Sequence, residues 1–215
     1  MVALVAALPQ IAHAGATRAD ILDYFALYYQ QQVVKGADVS ALEFLRNAAA
    51  QHASNEQVLK PSVSRSVTVD RRNGYLQIDG NSGTDQTLTM ALYGKADGTR
   101  LVVAGSSDCA DACVFSVEFF VPDGNQLKPV PSRSILPAIS SPQFIKSGRQ
   151  MPKALALIDP KIDYVPARVG TALTLRPSYG YEAEEQMDAA TRSAIQSVEL
   201  QWDHNQGIFV LLHKR

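Results

Sequence analysis

The sequence predicts an α+β protein, an N-terminal helical pair followed by a mostly antiparallel β-meander or sandwich. Three observations predict it. The spacing of apolar residues changes from helical to alternating near residue 61, hairpin signals recur after that point, and residues 114–121 form a strongly β-prone run. About eight to ten strands are expected in the alternating part. The organisation expected is residues 1–14 (or 1–16) as a signal peptide, 17–60 as a helical segment, and 61–215 as an antiparallel β domain packed with it as one unit.

The first helix is expected from Thr17-Arg18-Ala19-Asp20, a capping-box-like start, and Gly36 is a plausible stop. Tyr24, Phe25, Tyr28 and Tyr29 put an aromatic stripe on it, read as a face packed on a sheet rather than a ligand platform. Ser40-Ala41-Leu42-Glu43 is a second capping box and predicts a second helix. From residue 61, Val63, Val67 and Val69 alternate with Ser and Thr, and Asn73-Gly74 signals a hairpin. A two-residue turn would pair Val69 with Ile78 and Arg71 with Leu76. Leu88, Met90 and Leu92 continue the alternation, Asp97-Gly98 turns the chain, and residues 101–104 run back. In the run 114–121, Phe115, Val117, Phe119 and Val121 share one face, so a central strand is expected, with Glu118 on the other face.

Residues 122–179 hold nine of the eleven prolines, which predicts long loops with short strands near 154–158, 164–169 and 171–175. Eight Lys or Arg stand there against three Asp or Glu, an imbalance attributed to solvated loops before an anion-binding face. A short helix is expected over 182–194, then a closing hairpin with Trp202 opposite Ile208, Leu200 opposite Val210 and Val198 opposite Leu212. Trp202 reads as a core anchor.

Composition narrows the function classes. Apolar residues make up 46 % and charged residues 19 %, an ordinary globular balance. A net charge of −1 argues against general binding to nucleic acid or an anionic membrane. No apolar run is long enough for a transmembrane segment in the mature chain. Residues 1–16 carry a short apolar run, Val2 to Leu8, then the small-x-small sites Ala12-His13-Ala14 and Ala14-Gly15-Ala16, which predict export although no basic residue precedes the run.

Cys109 and Cys113 are the two cysteines, and their C-x3-C spacing fits neither a thioredoxin-like redox pair nor a zinc knuckle. In an exported chain they are expected to form a disulfide closing a short loop, worth about 2 kcal/mol of chain entropy. Asp108 and Asp111 make this the candidate binding loop, and a redox-active or metal-binding loop using both is the alternative reading.

Signatures of catalysis are missing. Gly80-Asn81-Ser82-Gly83-Thr84 brings its second Gly one position early for a nucleophile elbow. His52, His204 and His213 have no acid-plus-nucleophile neighbours in sequence. The stretch Asp79 to Asp85 is only faintly like a calcium loop, with Met90 where the bidentate Glu belongs. No phosphate-cradling fingerprint occurs, so neither cofactor nor metal is expected.

Asn73-Gly74-Tyr75-Leu76, the Cys-x3-Cys loop and the closing Glu199-Leu200-Gln201-Trp202 strand together resemble uncharacterised secreted β-rich proteins of bacteria, over residues 63–121 and 197–212. The resemblance implies a fold class and an exported location, and carries over no catalytic residue. The function expected is a periplasmic or secreted non-catalytic binding or inhibitor-like module for an envelope protein or cell-wall component. The alternative is a cell-envelope hydrolase whose acids, such as Glu118 or Asp108, come together only on folding.

Overall fold

The computed structural model describes residues 19–34, 56–59, 65–80, 85–109, 113–153 and 155–212. Helix α1 (Ile21–Val34) begins one turn later than the Thr17 motif suggests. Asp20 is its cap: Asp20 Oδ1 accepts from the Leu22 N–H at 2.9 Å, and Asp23 Oδ2 accepts from the Asp20 N–H at 2.8 Å. This reciprocal pair satisfies donors that a helix start otherwise leaves open. The predicted second helix and the predicted signal peptide lie outside the described residues.

Seven strands follow as a sequential antiparallel meander: β1 (Glu56–Leu59), β2 (Arg65–Asp70), β3 (Tyr75–Gly80), β4 (Asp85–Gly94), β5 (Arg100–Cys109), β6 (Cys113–Asp123) and β7 (Gln126–Val130). The strand region therefore begins at Glu56, ahead of the change of period at residue 61. A second sheet has the order β11-β10-β9-β8, built from β8 (Lys161–Pro166), β9 (Ala172–Ser178), β10 (Val198–Asp203) and β11 (Ile208–Leu211). The described residues thus form eleven strands, above the expected range.

The molecule is layered as helix, seven-stranded sheet and four-stranded sheet. Val67, Val69, Leu76, Met90 and Val102 point toward α1, where Phe25 and Tyr29 meet them. The alternate residues, Tyr93, Leu101, Val103 and Phe119 among them, point toward the second sheet and its Leu200 and Trp202. Residues 101–104 of β5 are buried from both sides, which explains their unbroken apolar run.

Two hairpins depart from the expected register. Val69 pairs with Leu76 and Val67 with Ile78, because the turn holds four residues, Arg71 to Gly74. The Asp70 carboxylate accepts from the Asn73 N–H at 3.1 Å and from Asn73 Nδ2 at 2.8 Å, which fixes the wider turn. A shift of two leaves every side chain on its expected face. The closing hairpin is shifted by one: Trp202 pairs with Phe209 and Leu200 with Leu211. Asp203 Oδ1 accepts from the Asn205 and Gln206 N–H groups, each at 2.9 Å, and Gly207 adopts φ +69°. Phe209, not Ile208 or Val210, therefore enters the core beside Trp202.

The proline-rich segment also differs in detail. Residues 155–157 are turns rather than a strand. The helix expected over 182–194 is two: α2 (Tyr181–Gln186) and α3 (Ala189–Ala194). Asp188 restarts it, its side chain accepting from the Thr191 N–H at 2.7 Å. Leu155, Tyr179 and Met187 form a small third core beneath this region. β6 lies between β5 and β7 rather than at the sheet's centre, and only Phe119 and Phe120 along it are fully buried.

Candidate functional site

The β5–β6 ribbon changes character along its length. Pairing is continuous from Val102↔Phe120 to Cys109↔Cys113. At its base Val102, Val103 and Phe119 belong to the two cores. Gly105 marks the transition. A Cβ there would lie 2.6 Å from the Tyr164 carbonyl oxygen, so the glycine lets the β8 backbone rest directly on β5. Beyond it the β5 strand turns polar, with Ser106, Ser107 and Asp108. Ser106 and Ser116 share a hydroxyl–hydroxyl hydrogen bond of 2.7 Å across the ladder, and Asp108 pairs with Val114, both exposed.

The end of the ribbon is fixed from two sides. Cys109 and Cys113 stand with Cα atoms 4.0 Å apart and their sulfurs at bonding distance, at the last pair of the ladder. Lys161 Nζ, from the start of β8, donates to the Cys113 carbonyl at 3.1 Å. Val114 is 61 % exposed, a large apolar side chain at the edge of the loop. Asp111, the other predicted loop acid, lies outside the described residues.

Glu118 sits further down the ribbon and belongs to the helix interface. Tyr28 Oη donates to Glu118 Oε2 at 3.1 Å and Gln32 Nε2 donates to the same oxygen at 3.2 Å. Burial first, and then the adjacent Glu118 carboxylate, hold the Tyr28 hydroxyl well above the ordinary phenol range. Glu118 thus joins α1 to β6 through neutral donors. Asp108 and Glu118 are also poorly placed as a catalytic pair. Asp108 is level with Val114, four residues along β6 from Glu118, or roughly 13 Å of strand. Glycosidase carboxylates work at about 5–9.5 Å.

The remaining sequence candidates do not converge on the tip. His204 Nδ1 donates to the Gly94 carbonyl at 2.9 Å in the turn between β10 and β11. Asp79 Oδ1 accepts from Gln77 Nε2 at 2.8 Å and from Thr87 Oγ1 at 3.3 Å, within a polar strip on the sheet. Ser82, His52 and His213 lie outside the described residues. Among the described residues no group of three or more His, Cys, Asp or Glu is placed to hold a metal ion, and no helix is long and apolar enough to cross a membrane. A shallow groove of about 430 Å³ runs between residues 133–137 and β11, lined chiefly by Ile135, Leu136, Ile208 and Phe209. It carries no catalytic side-chain pair.

Sequence reasoning missed Lys161, Gly105 and Tyr28 as parts of this region. Lys161 is 48 residues from Cys113 and Tyr28 is 90 from Glu118, and no local pattern announces such contacts. Gly105, inside a β-prone run, was the one legible sign of a close backbone approach.

No protein-family model matches the sequence, and no curated protein matches it. Among solved structures, the chain is similar to a domain of an uncharacterized protein from Porphyromonas gingivalis W83. The likeness has a TM-score of 0.64 and 12 % sequence identity, and covers 92 % of this chain and 100 % of that one. At that identity the likeness shows a shared fold.

Proposed function

We propose that the chain is an exported, non-catalytic binding module of the periplasm or cell exterior that meets its partner with the tip of the β5–β6 ribbon. The partner class is an envelope protein or a cell-wall component. The observation that carries this reading is the tip itself: exposed Val114 and Asp108 at the end of a ladder whose base is fixed in two cores. A rigid scaffold presenting a short loop is how binding residues are commonly displayed. The leader-like residues 1–16 and the cysteine pair support export.

The test is retention of envelope extract and of purified cell-wall sacculi by immobilised wild type and by a Val114→Ser/Asp108→Asn variant. The wild type is expected to retain material that the variant holds at least about tenfold less tightly, a difference of about 1.4 kcal/mol. Equal retention removes the tip as the binding site. Turnover of a chromogenic glycoside or ester that is lost on Glu118→Gln would replace this reading with the hydrolase. Mass spectrometry of protein from its native source checks export: the first 14 or 16 residues should be missing, and the mass should lie about two units below that of the dithiol.

A further inference from the structure

We infer that the Cys109–Cys113 pair is a redox lock on the ribbon tip, one that an external dithiol can open without unfolding the molecule. Four observations carry this. The pair closes the last rung of the β5–β6 ladder among the described residues. Neither cysteine belongs to any of the three hydrophobic cores. The ring it closes spans only residues 109–113, so it restricts little of the unfolded chain and acts chiefly on its own neighbourhood. Both cysteines are only half-buried, so the pair is not sealed inside the molecule.

The chemistry is thiol–disulfide exchange. A thiolate of the dithiol attacks one cysteine sulfur, the S–S bond breaks as a mixed disulfide forms, and the leaving thiolate takes a proton. The second thiol of the reductant then closes its own disulfide and expels the remaining cysteine sulfur, which is protonated in turn. Two electrons pass to the cysteine pair, and the reductant leaves oxidised. In the opened tip the Lys161–Cys113 carbonyl bond remains, and the Ser106–Ser116 hydrogen bond holds the ladder closer to the core. Opening is therefore confined to the rungs between Ser107 and Phe115.

Amide hydrogen exchange and thermal melting of the full chain test this, with and without dithiothreitol, beside a Cys109→Ser/Cys113→Ser variant. The reduced protein and the variant should both exchange about tenfold faster at residues 107–109 and 113–115, with β2–β4 and α1 unchanged. Their melting midpoints should fall by no more than about 8 °C, the ceiling set by so small a ring in a chain of this size. Unchanged exchange at the tip, accelerated exchange throughout the sheet, a larger fall in midpoint, or cysteines that resist dithiothreitol until the protein melts would each overturn the inference. The measurement needs no partner, so a tip that binds nothing would leave this result standing.

Discussion

The two faces of the seven-stranded sheet are covered by different means. On one face, among the described residues, a single 14-residue helix does the work, reaching the strands with Phe25, Tyr29 and other large side chains. Polar ties then hold it at separate points: Gln31 Nε2 donates to the Leu127 carbonyl at 2.8 Å, Arg100 Nη1 to the Ala19 carbonyl at 2.6 Å, and Tyr28 to Glu118. On the other face four strands lie over the sheet, and backbone touches backbone at Gly105 and Tyr164. Tyr93, Trp202 and Phe209 form an aromatic triangle there, with centroids 4.9–5.6 Å apart. Trp202 Nε1 donates to the Gly94 carbonyl at 2.6 Å, so even its polar edge is satisfied inside. The helix is thus attached mainly by side chains, whereas the second sheet is joined by side chains and main chain together.

Four substitutions and one control separate these modes of attachment, in descending order of expected effect. Phe209→Ala should cost about 3–5 kcal/mol in urea unfolding, since it empties the centre of the aromatic triangle. Phe25→Ala should cost about 3 kcal/mol, because the helix can settle toward the sheet and close part of the cavity. A larger loss for Phe25→Ala than for Phe209→Ala would reverse the ranking of the two faces. Gly105→Ala should destabilise by about 1–3 kcal/mol, although alanine is ordinarily the better strand residue, because the added methyl meets a main-chain oxygen. A gain in stability would show that the sheets do not touch at that point.

Asp70 ties the two sheets by charge. Its buried carboxylate accepts from Asn73 and from Arg168 Nε at 3.1 Å, the latter in the loop between β8 and β9. Burial pushes its pKa up, but the Asn73 hydrogen bonds and the Arg168 charge outweigh that and hold it below the ordinary aspartate value. A depressed pKa means stability that is present above the unfolded-state value and lost as pH falls through the folded one. Asp70→Asn should therefore cost about 1–3 kcal/mol at pH 7 and flatten the acid limb of the stability profile. An unaltered acid limb in the variant would assign that limb to other carboxylates. Val114→Ser, the control at the ribbon tip, should change stability by less than about 0.5 kcal/mol; a larger cost would mean that the tip is part of the scaffold.

The sequence carried the α+β class because period and turn chemistry are local properties. The helix stripe at Phe25 and Tyr29, the alternation in β2 to β5 and the core role of Trp202 all follow from residues near one another in the chain. Register was less legible, since it depends on how many residues a turn consumes. At Asn73-Gly74 the error of two was harmless, but at Gly207 an error of one exchanged Ile208 for Phe209 in the core. Of the candidate site, the cysteine pair and Asp108 could be read directly. What fixes the ribbon in space, Lys161 against Cys113 and Tyr28 against Glu118, arises only when distant segments dock.

The meander has a consequence for how the molecule is made. In both sheets every strand is hydrogen-bonded to its immediate predecessor or successor in the chain. Every ladder except β9–β10, whose strands are separated by α2 and α3, can therefore zip rung by rung from a short connection, without first closing a long loop. The distant closures are the arrival of α1, whose Gln31 must find Leu127 across 96 residues, and the laying down of the second sheet, whose Trp202 must find Gly94 across 108. Assembly should accordingly be fast within each sheet and limited by the two docking events. During synthesis, the helix that leaves the ribosome first among the described elements has to wait for β7 before its own contacts are complete.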